Sequence, residues 1–544
     1  MKRTPLAAFA ALSAFAAFLC TAAPPARGED AAAAAAARKA LDHYASIMRK
    51  GEWGKGGGWN WTMSPDGKLG TGEAVYPVPE DVILVQPPGT ANVAVVFLRA
   101  YTVFKNPKDL EVAKLAAEAL IAGSPPDGGW NCELWLGAEG PKGVHLYPGQ
   151  PDWTKKPPNP SSHGVLDDNT SFAPIEFLYD IWQVTGDERY HKEWLHQMDF
   201  LLKCQLPGGG FCQVHGGGGY HGAATFNDGV MRGAFNMVLQ AYQRTGDPKF
   251  IASVKKCGDF MIKAQQPCGG YGAQHADSGA LSSARKFEPP GVTPDGTSDA
   301  IGILATCYDW AGDPKYLAPL QKAVSFLEKS QIGGGKWARY YHPNGGPWYR
   351  SIDGKDVSSA SQAKPGYTWQ GEWGRAGISK GKAYAGRSGS HPPHTVAPPG
   401  NPKFGFNLRS GGIDGASPGK YPQDVAAMIS AQSPEGYWLA TPGGKAPAKG
   451  KAKGGKGGAG NYRALNTIQW LTYVDKLLDV CAGTTTPLPT DEETEEPAEE
   501  TPPATTPPPT PTPAKTPAPP PVWAPPPIPA PTPAPEPAEE PAEE

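Results

Sequence analysis

Four segments of this 544-residue chain set charged or polar side chains where an apolar helical rhythm stops. The first, from Leu166 through Asp167, Asp168, Asn169 and Thr170 to Ser171, stands just ahead of a strongly helical run. Asp, Asn and Thr are helix N-cap residues, and a single cap accounts for one of them. Three successive oxygen-bearing side chains also form the kind of cluster a hard cation such as calcium uses. The second segment, Ala224 to Met231 with Asn227 and Asp228, opens a helix one repeat later. If neighbouring repeats set these two acidic starts side by side, Asp168, Asn169 and Asp228 can share a metal. The third runs from Tyr271 through Gln274, His275 and Asp277 to Arg285, Lys286, Phe287 and Glu288. The fourth interleaves arginine with aromatic residues: Trp337, Arg339, Tyr340 and Tyr341, then Trp348, Tyr349 and Arg350, then Tyr367 and Trp369. Such residues suit stacking on sugar rings and forked bonds to carboxylates, and suit equally the closing seam of a core.

The elements that must position these segments are legible in a repeat. Phe177 to Val184 precedes Thr185-Gly186-Asp187, a second helical run to Leu206, and a glycine-aromatic loop ending at Phe211. The order recurs with Gly246-Asp247 and Tyr271, and again with Gly312-Asp313 and Trp337; a looser copy runs from Val96 to Trp130. Phe250, Val254, Cys257 and Met261 fall at helical spacing. Gly-Asp between two such runs supplies a C-cap and then an N-cap, which predicts an antiparallel helix pair. Pairs that cannot bury a face alone pack side by side, so the expected fold is all-α, an (α/α) toroid or partial barrel with the glycine-aromatic loops at one end. Residues 131–162 and 376–420 read as long loops, and 442–461 as a basic linker.

Lys2 and Arg3 precede an apolar run from Leu6 to Leu19, so residues 1–28 read as a secretory signal. Residues 484–544, almost all Pro, Thr, Ala and Glu, read as a disordered, polyproline-like tail. That tail is net −11 against −3 for the whole chain, which leaves +8 for residues 1–483 and +5 for 29–483 once Lys2, Arg3 and Arg27 are removed. A mildly basic body suits a polyanionic partner, or is ordinary surface charge. The expected location is outside the cytoplasm, secreted, with the tail as a contact to a cell surface or wall. No nucleic-acid partner is expected. No Cys-x-x-Cys pair occurs, which argues against structural zinc, and the connectivity of any disulfide is open.

Taken in this order, the four segments resemble the pectate lyases of polysaccharide lyase family ten. The likeness runs over residues 165–373, through Leu166 to Ser171, Gly208 to Val214, Ala224 to Asp228, Ala273 to Asp277, Ala284 to Glu288, Trp337 to Tyr341 and Gly366 to Gly371. The resemblance implies β-elimination on polygalacturonate (pectate), with Asp168, Asn169 and Asp228 holding calcium and Arg285 taking the C5 proton. His275, Lys286, Arg339, Arg350, Tyr367 and Trp369 would bind substrate. An arginine base is unusual, since guanidinium stays protonated in proteins; it implies activity favouring alkaline conditions. The family's Asp-Gly element carries Arg directly before Asp, where this chain has Ile352; Arg350, two residues earlier, lies on the same face of an extended segment. Residues 29–130 and 376–483 show no clear match.

Two other functions are compatible with the same helical architecture: an inverting glycosidase using two of Asp167, Asp228 and Glu288, and a pectin-binding protein without turnover.

Overall fold

The computed structural model describes residues 28–72, 78–144, 163–394, 424–440 and 464–483. Residues 1–27 of the signal-like segment, the basic linker and the Pro-rich tail lie outside these residues. Among the described residues no helix is long and apolar enough to cross a membrane.

Where Gly-Asp separates two helical runs, the chain reverses as expected. Gly186, Gly246 and Gly312 end their helices in the left-handed region, at φ 67, 69 and 66°. The next residues, Asp187, Asp247 and Asp313, accept the backbone N–H of Arg189, Lys249 and Lys315. The resulting pairs are α4 (Phe172–Thr185) with α5 (Glu188–Lys203), α6 (Val230–Thr245) with α7 (Pro248–Ala264), and α8 (Pro294–Ala311) with α9 (Leu317–Lys329). The looser early copy is a pair too, α2 (Thr90–Phe104) with α3 (Pro107–Gly123), capped by Asn106.

A further pair joins distant parts of the chain, with α1 (Gly28–Ser46) packing on α12 (Thr467–Cys481). Tyr44 stacks on Trp470 at 4.0 Å between ring centres, and the Trp470 indole N–H donates to Ala40 O at 3.2 Å. Helices α12, α2, α4, α6 and α8 pack in sequence as an inner arc, and α1, α3, α5, α7 and α9 lie outside it. Helix α10 (Arg375–Lys382) packs on α8 and α9, while α11 (Val425–Ser430) packs on α1 and α12. The fold is an (α/α) toroid whose last stretch is only partly described.

Hairpins closed by an aromatic residue link each outer helix to the next inner one. Their tips are fixed by a recurring glutamine: the Gln205, Gln265 and Gln432 amides donate to Gly209, Gly269 and Gly436 O, and also to Ser253, Pro319 and Ala36 O on the following outer helix. The last of these bonds ties the hairpin after α11 back to α1. In three copies an indole N–H reaches a carbonyl ten residues upstream at 2.8 Å: Trp130 to Leu120, Trp337 to Leu327 and Trp438 to Met428. Glycine is required where the tip presses on the next helix. At Gly209, φ is 112° and an added Cβ would lie 2.3 Å from Lys256 O.

Two of the expected loops contain structure. Within 131–144, strands Glu133–Gly137 and Gly140–Val144 form a three-stranded antiparallel sheet with Val82–Leu84. Leu134 and Leu136 pack into the main core, while Val144 packs with Val78, Val82 and Leu84 in a second cluster, so the sheet is covered on both faces and its strands show no simple alternation in sequence. The 376–420 stretch begins inside α10, while 395–420 lies outside the described residues.

Candidate active site

The inner helices all begin at one rim. Residues at the starts of α2, α4, α6, α8 and α12 line a single cleft of ≈ 730 Å³, among them Pro88, Asp168, Asp228, Pro294 and Ile468. Five helix N-termini give that rim a positive backbone field, which favours anions.

Each helix start is held by the glycine-aromatic hairpin next to it. Leu166 N–H donates to Gln213 O at 2.9 Å, and Phe226 N–H donates to Ala273 O at 2.8 Å. So anchored, Asp167–Asn169 and Asn227–Gly229 form two equivalent short turns ahead of α4 and α6. Asp168 (φ 47°), Asn169 (φ 61°) and Asp228 (φ 51°) lie in the left-handed region, as does Gly229 (φ 71°). A non-glycine residue there costs roughly 1–3 kcal/mol, and such strain concentrates at functional sites.

The two turns bring Asp167, Asp168 and Asp228 together, with one carboxylate oxygen from each lying within 4.8 Å of the others. Side by side is the arrangement that the repeat implied for Asp168 and Asp228. Asn169 lines the same cleft, and Asp167 joins the group although the sequence reading gave it no metal role. The carboxylates of Asp168 and Asp228 face the cleft but are ringed by protein elsewhere. Burial, then the charges of Asp167 and Asp168, push the Asp228 carboxyl up to about 8. Burial likewise raises Asp168, against a hydrogen bond from Gln86. At an effective dielectric of 20, each pair of full charges at this spacing repels by roughly 3 kcal/mol. Either a proton or a cation relieves that repulsion. An oxygen-only donor set fits calcium better than zinc or copper, so the residues present suit the expected cofactor.

Two amides hold the cluster, one of them within the Gly208 to Val214 segment of the resemblance and neither given a role from sequence. Gln86 Nε2 donates to Asp168 Oδ2 at 2.9 Å, and Gln213 Nε2 donates to Asp167 Oδ2 at 2.6 Å. Gln86 comes from the N-terminal region whose role the sequence left open. Arg232, Arg339, Trp61 and Trp373 complete the cleft wall. Arg339 lies over the rings of Tyr367 (4.6 Å) and Trp373 (4.9 Å), and its Nε donates to Thr368 O. Arg232 pairs with Asp299 at 3.1 Å.

Arg285 is absent from the cleft-lining residues. Its Nε and one terminal nitrogen grip the two oxygens of Glu288 at 2.7 and 2.6 Å, and Tyr367 donates its hydroxyl to the same carboxylate at 2.7 Å. The hydrogen bonds it donates to Glu288 hold the guanidinium well above its ordinary value. Burial opposes ionisation of Glu288, yet Arg285 and Tyr367 keep that carboxylate below its usual range. Burial raises the Tyr220 hydroxyl, with smaller contributions from the charges of Arg285, Glu288 and Asp167.

Several expected substrate contacts are engaged elsewhere. His275 is 0% exposed. Its Nε2 accepts Gly272 N–H and its Nδ1 donates to Gly279 O, both at 2.9 Å, so the ring is the hydrogen-bonded centre of a turn. Burial lowers it to about 4. Trp369 is buried in the core, with its indole donating to Lys364 O. Both are corrections: the motif is local backbone support, and the aromatic belongs to the seam. Arg350 is bound to Asp356 at 2.9 Å, lies over Trp348, and donates to Lys286 O, so it braces the segment that carries Arg285. Ile352 is 64% exposed and fills no cavity. Lys286 is exposed and Tyr367 half-buried. The close approach of Asp167 to Asp228 also rules out that pair for an inverting glycosidase, which needs roughly 6.5–9.5 Å between its carboxyls.

The model of the pectic acid lyase family matches residues 145–240. No curated protein matches the chain. Among solved structures, the chain is similar to a family 10 polysaccharide lyase from Cellvibrio cellulosa at 18% identity, covering 54% of this chain and 97% of that one, with a TM-score of 0.40. A mutant of that enzyme in complex with trigalacturonic acid matches at 18% identity, 54% and 98% coverage and a TM-score of 0.40. Cellobiose 2-epimerase from Spirochaeta thermophila is similar at 15% identity, 66% and 84% coverage and a TM-score of 0.36. The match to the pectic acid lyase family spans both carboxylate-bearing turns.

Proposed function

We propose that this protein is a calcium-dependent pectate lyase that cleaves polygalacturonate by β-elimination. The observation that carries this reading is the trio Asp167, Asp168 and Asp228, gathered within 4.8 Å on strained turns that open into a cleft ringed by helix N-termini. In it Asp168, Asp228, Asp167 and Asn169 hold the cation. Bound there, calcium supplies a positive charge to the uronate carboxylate next to the reacting carbon and so stabilises the charge that develops as the C5 proton leaves. The protein's own groups bind and orient. Arg339 and Arg232 offer guanidinium groups to further carboxylates of the polymer, and Trp61 and Trp373 offer ring faces to the sugars. Arg285 takes the C5 proton, a role that follows from the family resemblance, and Glu288 sets how rarely its neutral form occurs. Secretion, with residues 484–544 as a spacer toward a cell surface or wall, belongs to the same reading.

Incubation with polygalacturonate, with calcium or with chelator, tests it. A lyase produces calcium-dependent ultraviolet absorbance from the new ring double bond. Reducing ends without that absorbance would establish a hydrolase, and polymer retention without either product a binding protein.

A further inference from the structure

The hairpin that follows α5 differs from its siblings in one respect. Its arms run antiparallel, with Leu206 N–H donating to Gly210 O at 2.8 Å, Gln205 bridging Phe211, and Cys212 N–H donating to Cys204 O at 3.0 Å. That register sets Cys204 directly opposite Cys212. Residues facing each other across antiparallel arms have Cα atoms about 4.5–5.5 Å apart, within the span a disulfide bridges. Side chains of facing residues project to the same face of the hairpin, so the two thiols are neighbours.

The other hairpins show what this position requires. Gln266 to Gly270, Ile332 to Lys336 and Ser433 to Tyr437 make the same closing bond as Leu206 to Gly210. The facing positions in those copies are Ala264 and Gly272, Ser330 and Ala338, and Ala431 and Leu439. Ordinary small or aliphatic residues therefore satisfy the hairpin. Cysteine on both arms of a single copy is a feature the fold does not demand.

We propose that Cys204 and Cys212 are joined by a disulfide in the functional protein. Both are thiols in the structure. As a thiolate, Cys212 attacks an external disulfide such as oxidised glutathione, forming a mixed disulfide and releasing one glutathione thiol. The Cys204 thiolate then attacks the Cys212 sulfur of that mixed disulfide and expels the second glutathione thiol. Two protein thiols are oxidised, and one external disulfide is reduced to two thiols. Cys204 is 0% and Cys212 4% exposed, so exchange takes place while the hairpin is still open and the finished bond is shielded from reductants.

The bond is independent of the proposed reaction, but its place matters to the site. Cys212 bridges Ala224, just ahead of the Asp228 turn, and its neighbour Gln213 holds Asp167. A covalent tie at Cys212 pins both carboxylate turns to the end of α5.

The test uses the full chain, equilibrated with reduced and oxidised glutathione in sub-denaturing urea, quenched, and alkylated in denaturant without reductant. No Lys or Arg lies between Lys203 and Arg232, so trypsin releases residues 204–232 as a peptide with both cysteines and no third. The expected peptide is unalkylated and about 2 Da lighter than its dithiol form. A peptide carrying two alkyl groups, a glutathione adduct, or a link to any other cysteine overturns the proposal.

Discussion

Replacing Glu288 with Gln tests the proton-abstracting role proposed for Arg285 through its pH dependence. In the structure the Glu288 carboxylate makes two short bonds to the Arg285 guanidinium and accepts the Tyr367 hydroxyl. A glutamine keeps the shape and one acceptor oxygen but removes the negative charge that favours protonated arginine. Hydrogen bonds to charged groups are worth about 1.5–3 kcal/mol. The Arg285 side chain is 53% exposed, so solvent screening reduces this to roughly 1–1.5 kcal/mol. One pKa unit corresponds to 1.36 kcal/mol, so the neutral fraction of Arg285 rises about tenfold at a given alkaline pH. The assay is initial rate of unsaturated product against pH, with circular dichroism to verify the fold. Glu288→Gln should move the alkaline limb of the profile about one unit toward neutrality, whatever happens to the maximal rate. An unmoved limb refutes the reasoning, because a lost positioning contact lowers the rate without displacing its pH dependence.

Further outcomes follow from the carboxylate turns and their supports. Asp228→Asn removes a buried carboxyl that must take up a proton when no cation is bound, and should abolish calcium-dependent turnover while raising thermal stability in chelator, as seen by calorimetry. Gln86→Leu leaves Asp168 without its amide partner; loss of such a supporting contact typically costs 10–100-fold in metal affinity, measurable by calcium titration. Asn169→Gly adopts φ 61° without strain, as Gly229 does at 71° in the sister turn, so it should keep or increase the melting temperature; unchanged calcium affinity in that variant would remove Asn169 from the ligand set. His275 is lowered to about 4 from 6.5, so the unfolded chain binds more protons between those values. Stability should therefore fall as pH drops from about 6.5 toward 4, by up to about 3 kcal/mol, and His275→Gln should flatten that slope in urea titrations.

Much of the ring was legible because its signals are local. Gly186-Asp187 and its two repeats specify a left-handed end and a capped start within three residues. The acidic turns were legible for the same reason, since Asp168 and Asp228 sit at equivalent places in adjacent copies. What escaped notice depends on distance along the chain. Helices α1 and α12 form a pair without a joining turn, so no Gly-Asp marks them. The hairpin from Gln432 to Trp438 repeats the glycine-aromatic pattern, but it follows a Gly/Pro-rich stretch that hid its register. Gln86 and Gln213 are ordinary amides until folding brings them to the carboxylates. His275 was misread in the opposite sense: its residue type suggests chemistry, and only the two backbone groups around its ring show that it is consumed by a turn.

Because the pair beside α2 is made from the two ends of the described fold, synthesis order constrains when the protein becomes competent. Through most of translation, the surface of α2 that receives Trp470 and the Arg99 guanidinium that receives Asp475 have no partners. The wall of the cleft that Ile468 supplies is equally missing until then. Contacts spanning nearly the whole chain form slowly, since a large loop must close before they stabilise anything. A nascent chain is thus an open arc, and the rim is complete only after α12, the last described helix, leaves the ribosome.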